Sequence, residues 1–382
     1  MRKKEKYCNR HFTFFSFVFV LLVMTACTSE YGEIKNIKSG EITETVELRA
    51  TDSVVYPLGS SVSHIMTAFD YNLEKQIFSF YASDTVYRYK KDVLYDKIPV
   101  RKRHINSFSS KEGFLWAVDY NGNRLFKVDS LGGIVKDLKI KETIKYFPLP
   151  ITKTSPIIED KNKVYFFGNI SGEYSDENEE NRRVMGVYDL ETQKLSCFVA
   201  YPKEYEHNFG GGLFRWVYAD YNSKERRIII SFPASHSLYV YDIDNLEKGV
   251  SFYAGSRFIE SIKYLKSPKM FPIDTETKVR HFAETPSYSR LIFDPFREVY
   301  YRIAEQGTVY EGMVGWSKEI SVIVLDKTFK IIGETFVGKC LSNYRYAIYV
   351  DQEGLKIPVQ SSEDVLIFKN YELCNHSRPK VF

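Results

Sequence analysis

The side chains in this sequence best placed to do chemistry are His64, His104, His207, His281, Arg215, Arg290, Arg345 and Trp216, with Asn106 and Tyr344 beside them. Each stands at or just before the start of a short apolar run. An imidazole there can serve as a general base or a metal ligand. A guanidinium can grip a carboxylate or phosphate through its fork of N–H groups. The loop His207-Asn208-Phe209-Gly210-Gly211-Gly212 runs straight into Arg215 and Trp216, and its glycines allow close backbone approach to a ligand. No helix pattern follows those glycines, so a phosphate-cradling loop is not predicted. His207 and His281 are expected in loops before two inner strands, where they could meet at one mouth. HExxH, CxxC, EF-hand and Gly-x-Ser-x-Gly spacings are all missing, so neither a metal site nor a cofactor is predicted. Arg290, Arg297 and Arg302 offer an anion site, but counting at period two sets Arg290 and Arg297 near opposite ends of a hairpin. Arg297 reads as a salt-paired surface residue.

The elements that must position these groups are strands. Leu213 to Gly255 divides at period two into Leu213–Ala219, Arg226–Phe232, Ser237–Asp242 and Val250–Ala254, with turns at Asp220-Tyr221-Asn222-Ser223 and Asp242-Ile243-Asp244-Asn245. That is one four-stranded antiparallel meander, the size of a propeller blade. The unit recurs from Val62, Ile105, Lys153, Ser287 and Arg345. Asn121-Gly122 and Gly132-Gly133 supply hairpin punctuation in the second unit. Ser171–Arg183, rich in acids and Asn, reads as an exposed insertion in the third. The first turns correspond as Asp70-Tyr71-Asn72, Asp160-Lys161-Asn162, Asp220-Tyr221-Asn222, Asp294-Pro295-Phe296 and Asp351-Gln352-Glu353-Gly354, so five of the six units carry the Asp. The sixth unit lacks a fourth strand, and Glu41–Leu48 is a strand without a unit. The expectation is an all-β, six-bladed β-propeller of four-stranded antiparallel blades, the last blade closed by the N-terminal strand. A pair of stacked sheets is the rival architecture. Gly255–Phe282, the longest segment between units, reads as a cap or partner surface.

Residues 1–26 read as a targeting segment. Arg2, Lys3, Lys4, Lys6 and Arg10 precede the apolar run Phe12–Met24, which is short for a membrane span. Met24-Thr25-Ala26-Cys27 then resembles a lipobox, with Met24 where Leu is usual, and predicts a lipid on Cys27. The domain expectation is a signal peptide over 1–26, a tether over 27–40, the propeller over 41–373 and a tail over 374–382. Removing the leader takes five of 53 basic and one of 49 acidic residues and leaves 48 of each, so the net charge of +4 belongs to the leader. Nucleic acid therefore has no electrostatic footing as a partner. Tyr and Phe, 29 and 28 in number, suit half-buried pleated surfaces. Cys197, Cys340 and Cys374 have no metal-ligand spacing. Cys340 and Cys374 could pair in an oxidising compartment; buried free thiols are the ordinary alternative.

The stretch Tyr288-Ser289-Arg290-Leu291-Ile292-Phe293-Asp294-Pro295-Phe296-Arg297-Glu298-Val299-Tyr300-Tyr301-Arg302 resembles the DUF4221 family, Bacteroidetes lipoproteins with TolB-like six-bladed propellers. The resemblance spans nearly all of residues 40–370. It implies a fold and a cell-envelope location, on the outer membrane facing the periplasm or the surface, and supplies no activity or catalytic residues. The functional expectation is a lipid-anchored binding or scaffolding module for a peptide, glycan or partner protein at one face of the ring. The alternatives are an envelope hydrolase or lyase at the channel mouth, and a structural envelope component. Acid, Arg and His clustered at one end of the ring with shifted pKa values would favour the enzyme.

Overall fold

Ile77–Ala82 and Val299–Glu305 are buried at every position. A strand has no wet face when its own sheet is sandwiched between two others. The computed structural model places such strands in the middle of its sheets, while outer strands such as Ile134–Lys139 are largely exposed. It describes residues 31–375 apart from 39–43, 60–61, 63–65, 101–104, 112, 120–123, 141–147, 150–154, 171–182, 208, 210–212, 267–273, 313–316 and 341–344.

In chain order, β1 (Tyr31–Lys35) and β2 (Val46–Pro57) come first. Blade one is β3 (Ala68–Asn72), β4 (Ile77–Ala82), β5 (Thr85–Lys90) and β6 (Val93–Pro99). Blade two is β7 (Ile105–Lys111), β8 (Phe114–Asp119), β9 (Arg124–Asp129) and β10 (Ile134–Lys139). The short β11 (Pro148–Leu149) precedes blade three, which is β12 (Ile158–Asp160), β13 (Lys163–Phe167), β15 (Arg183–Asp189) and β16 (Leu195–Ala200), with β14 (Asn169–Ile170) paired to β11. Blade four is β17 (Tyr218–Asn222), β18 (Arg227–Ser231), β19 (Ser237–Asp242) and β20 (Asn245–Tyr253). After β21 (Ser261–Leu265) and the helix α1 (Thr275–Glu284), blade five is β22 (Ser287–Asp294), β23 (Val299–Glu305), β24 (Glu319–Leu325) and β25 (Ile331–Lys339). Blade six contains β26 (Tyr349–Val350), β27 (Leu355–Ser361) and β28 (Val365–Asn375). Its outer strand is β2, in the order β2-β28-β27-β26.

The six sheets stand in a ring, a six-bladed β-propeller. Apolar clusters fill every seam. One joins blades one and two, one joins two and three, one covers three, four and five, one joins five and six, and the last returns from six to one. The sequence's many aromatics pack these wedges. At the closing seam Tyr71 stacks on Tyr349 at 4.3 Å, Tyr56 meets Phe78 at 4.8 Å, and the Tyr56 and Tyr349 hydroxyls lie 2.6 Å apart. Such ring pairs contribute about 0.5–1.5 kcal/mol beyond their burial.

The N-terminal strand closes the last blade, as the repeat count requires, but further along the chain than expected. Val46–Pro57 pairs with β28 from Val46↔Asn375 to Pro57↔Val365, where Glu41–Leu48 was the expected stretch. The chain therefore has no free inner blade edge at its two ends. The inner strands of blades two and five begin at Ile105 and Ser287 as the periodicity implies, but those of blades one, three, four and six begin later: blade four starts at Tyr218, and Asp220-Tyr221-Asn222 lies in the strand rather than the turn. The four-residue turns end on Gln76, Arg226 and Glu298, all left-handed with φ of 55, 56 and 54°. That shared conformation sets the repeat in backbone terms.

Two expected loops carry structure. Residues 31–35, inside the expected tether, form β1 and pair with β21, register Tyr31↔Leu265 to Lys35↔Ser261. Gly32 lacks the side chain that would collide with the Tyr264 ring beside it. The expected cap, Gly255–Phe282, supplies β21 and most of α1, whose N-cap Asp274 accepts the Thr277 N–H at 2.8 Å. Because β20 runs down and β22 runs up, this cap lies where inner strands start, here termed the leading face. The turns between first and second strands lie on the opposite, turn face. β28 extends to Asn375, so Cys374 belongs to a strand and not to a tail. Among the described residues Cys197, Cys340 and Cys374 form no disulfide. The leader, Cys27, His64, His104, Tyr344, the Gly210–Gly212 loop and residues 171–182 of the expected insertion lie outside the described residues, as does the Arg345 side chain.

Candidate functional site in the ring centre

Asp70 and Asp220 hold the same place in blades one and four. Asp70 pairs with Ser79 and Asp220 with Ile229, each two residues before the last pair of its hairpin. At that register the side chain faces the next blade. The Asp70 Oδ2 accepts the backbone N–H of Ser110 at 2.7 Å, and the Asp220 Oδ2 accepts that of Phe293 at 2.7 Å. Two residues on, Asn72 Nδ2 donates to the Ser110 carbonyl at 2.9 Å and Asn222 Nδ2 to the Tyr300 hydroxyl at 2.7 Å. Serines do similar work across the intervening seams. Ser107 Oγ donates to the Ser155 carbonyl at 3.1 Å, Ser155 Oγ to the Val217 carbonyl at 2.8 Å, and Ser109 Oγ accepts the Ile157 N–H at 2.8 Å.

Arg290 completes the constellation. The β22–β23 ladder shifts register between Tyr288 and Leu291, and this bulge turns Arg290 toward the ring centre. Its Nε donates to the Ile348 carbonyl at 3.3 Å. Asp70, Asp220 and Arg290 line a cavity of about 440 Å³ that opens on the turn face, with Lys111, Glu159 and Arg226 nearer the mouth. Toward the leading face the centre is filled. Tyr218 of blade four shares an apolar cluster with Phe69 of blade one and with Tyr346 and Tyr349, and Trp216 lies on Tyr346 at 5.3 Å.

Depth sets the electrostatics. Burial pushes Asp70 up to about 6, against the pull of the Ser110 N–H, Lys111 and Arg290. Burial also raises Asp220, opposed by Arg290 and the Phe293 N–H. It lowers Arg290, whose charge both carboxylates favour. These three groups are half-buried and line the cavity. Two acceptors flanking one fork of donors suit hydroxyl, amide or ammonium groups. A carboxyl titrating near 6 can also give or take a proton near neutrality. At the mouth, Arg226 holds Asp160 bidentately at 2.8 and 3.0 Å and reaches Asp244 at 3.1 and 3.2 Å.

Of the sequence candidates among the described residues, Arg290 alone is placed in this cavity. His281 is helical rather than in a loop, and 2% exposed. Its Nε2 lies 3.1 Å from the Lys263 carbonyl, and burial lowers its pKa to about 4. The apolar stripe of α1 puts it under Tyr31, whose ring stacks on it at 5.7 Å. His207 is exposed and stacks on Tyr264 at 4.1 Å. Both belong to the leading-face cap, and among the described residues no three His, Cys, Asp or Glu side chains could hold a metal ion together. The Arg215 carbonyl accepts the Tyr201 hydroxyl at 2.7 Å. Asn106 lies at the start of blade two's inner strand. Arg302 is fully buried and donates to the carbonyls of Ala254 and Ser235 at 2.9 and 2.7 Å, so it is a core residue and not an anion site. Arg297 pairs with the buried Asp294 at 2.9 Å.

The repeated first-turn aspartates separate into two kinds. Asp294 pairs with Val299 at the last position of its hairpin, the place of Asn72 and Asn222, and caps its turn by accepting the N–H groups of Phe296 and Arg297. Asp351 likewise accepts from Glu353 and Gly354. Asp160 pairs with Lys163 at the last position too and lies at the cavity mouth; among the described first-turn aspartates Asp70 and Asp220, two residues earlier in their hairpins, are the ones that reach the ring centre.

A family model described as a domain of unknown function, DUF4221, matches residues 44–336. The chain belongs to the DUF4221 family. A crystal structure of a DUF4221 member from Bacteroides vulgatus ATCC 8482 superposes with a TM-score of 0.72 at 22% identity, covering 87% of this chain and 99% of that one. At that identity the likeness shows the shared fold. More distant matches include a putative TolB from Agrobacterium tumefaciens (TM-score 0.43, 8% identity, 85% and 99% covered) and virginiamycin B lyase from Staphylococcus aureus (TM-score 0.41, 12% identity, 89% and 98% covered). No curated protein matches the chain.

Proposed function

We propose that this DUF4221 propeller is a binding module that takes a polar group of a peptide, glycan or partner protein into the turn-face cavity. The observation that carries this reading is the convergence of Asp70, Asp220 and Arg290 on one cavity deep in the ring. The three groups belong to blades one, four and five, so a ligand among them is held by rigid strands rather than loops. Binding screens with oligosaccharide and peptide panels test it. A ligand found this way should bind at least about tenfold more weakly to Arg290→Lys and to Asp70→Asn, a loss of about 1.4 kcal/mol. Equal affinity in both variants would remove the cavity from the binding site.

A second reading, hydrolysis or elimination at the same cavity, is favoured by Asp70 titrating at about 6 within the field of Asp220. Its mark would be product formed from the bound glycan or peptide, with a rate that turns near pH 6 and is lost in Asp70→Asn. A ligand recovered unchanged after long incubation leaves the binding reading alone.

The same proposal sets the protein in the cell envelope, on a lipid at Cys27, with the outer membrane as the expected site. The basic and apolar leader and the small residues before Cys27 support it. Metabolic labelling with a fatty acid tests it: label should be lost in Cys27→Ser.

A further inference from the structure

The N-terminal segment is stitched into the leading face from its first described residue. β1 pairs with β21 at every position. Asn36 then closes the segment: its N–H reaches the Glu260 carbonyl at 2.8 Å, its Nδ2 donates to the Ser256 and Ile259 carbonyls at 2.7 and 2.8 Å, and its Oδ1 accepts the Tyr253 hydroxyl at 2.8 Å. Only Thr28, Ser29 and Glu30 stand between Cys27 and Tyr31. Fully extended, that link reaches about 14 Å.

The ring is thicker than this link is long. β22, at eight residues, runs from the leading face to the turn face. At the usual rise it spans about 25 Å. A membrane lying against the turn face would therefore hold Tyr31 about 25 Å off its surface, beyond the reach of the link. The leading face also offers suitable chemistry. Lys35, Lys38, Lys263 and Lys266 are exposed around β1 and β21, with Glu33, which pairs with Lys35 at 3.8 Å, and Glu260 between them; Asp274, Glu276 and Glu284 are exposed on the neighbouring α1 and its N-cap, and Ile37 is 81% exposed. Lysines near a bilayer favour anionic headgroups.

We infer that the leading face, centred on β1 and β21, rests on the bilayer that carries the Cys27 lipid, and that the ring-centre cavity opens away from that membrane. The inference depends on the lipid-anchor reading and is independent of what the cavity binds. It makes the cap a membrane-facing surface and leaves the cavity open to molecules beyond the headgroup layer.

Lysine footprinting tests the orientation. Full-length protein is purified with its acyl groups, their presence read from the intact mass, and bound to vesicles of phosphatidylethanolamine and phosphatidylglycerol. It is treated with a water-soluble acetylating reagent and compared with soluble Cys27→Ser protein. Lys35, Lys263 and Lys266 should lose labelling severalfold on vesicles, while Lys161 and Lys224, exposed on the turn face, should not change. A flexible Gly/Ser insertion after Glu30 should restore much of the lost labelling. Acylated protein in which Lys161 and Lys224 are shielded as strongly as the β1–β21 lysines would overturn the orientation alone. An intact mass without acyl groups would overturn the anchor and the orientation with it.

Discussion

The Oδ2 of Asp220 in blade four accepts the backbone N–H of Phe293 in blade five at 2.7 Å, across the seam between two inner strands. The same carboxylate faces the ring-centre cavity and the Arg290 guanidinium. One side chain thus fastens two blades and furnishes half of the acidic pair in the candidate site.

Removing that acceptor should cost stability. Asp220→Ala leaves the Phe293 N–H without its partner, a loss of about 1–3 kcal/mol. Asp220→Asn keeps an acceptor oxygen of the same reach and loses the attraction to Arg290 but not the seam bond, so it should cost less than Asp220→Ala, which loses both. Urea unfolding of the two variants against the parent measures the difference; equal midpoints would show that the seam bond contributes nothing net.

Stability should carry opposing pH signatures from the ring centre and the cap. Asp70 is raised from 3.8 to about 6 in the folded state, so the fold binds its proton more tightly than the unfolded chain. Its contribution therefore falls as pH rises through that window and stays low above it. His236 and His281 are lowered from 6.5 to about 4 by burial, so their contribution is lost as pH falls from 6.5 toward 4. Denaturation midpoints between pH 4 and 7 should show a flatter or inverted acid limb in a His281→Gln variant. The acid limb should become steeper in Asp70→Asn, which lacks the compensating gain.

The hydroxyl pair at the closing seam is suited to a double-mutant cycle. Tyr56 and Tyr349 share a 2.6 Å hydrogen bond in an apolar cluster. Tyr56→Phe and Tyr349→Phe should each destabilise by about 1 kcal/mol, because each strands a buried hydroxyl. The double variant should cost less than the sum, since both polar groups are then gone. Thermal unfolding of the four proteins reads the coupling, and strict additivity would exclude the bond as a stabilising contact.

Thiol chemistry should be quiet. Cys197, Cys340 and Cys374 form no disulfide among the described residues, and burial pushes Cys197 up to about 11. Little thiolate exists there at pH 8, so iodoacetamide should modify Cys197 slowly in the native state and fast in urea. Peptide mapping without reductant should show no disulfide between Cys340 and Cys374.

The blade count was legible in the sequence because each hairpin carries its own punctuation, such as Asp242-Ile243-Asp244-Asn245 and Gly132-Gly133. Closure of the last blade by the N-terminal strand followed from arithmetic on the units. Register did not follow. The run Asp220-Tyr221-Asn222 has the composition of a turn, yet tertiary packing extends the strand through it. Aligning the aspartates by type equated Asp70 and Asp220 with Asp294, which lies two residues further along the hairpin and caps a turn. The recurrence of Asp-Tyr-Asn in blades one and four was the available signal for the ring-centre pair. The helix holding His281 had a signal too: Asp274 as N-cap, then Val279, Phe282 and Ala283 on one face. Arg290 was found by its place in an inner strand, but the bulge that aims it inward leaves no mark in residue type. Acid and Arg gathered at one end of the ring, while the described His207, His236 and His281 lie at the other.

The pairing of β2 with β28 joins residues roughly three hundred positions apart. Of all the contacts in the fold, this is among the last that a growing chain can make, because Val365–Asn375 must exist before the partner waiting since Val46–Pro57 can be seated. Until then the first blade lies against a gap, with Tyr56, Phe78 and Phe80 lacking their Tyr349 and Phe368 neighbours. High sequence separation slows such a step, and a nascent or truncated chain would display an aromatic wound along one side. Quality control that recognises exposed apolar strands would therefore act on this protein at a single locus, the unfilled sixth position of its circle.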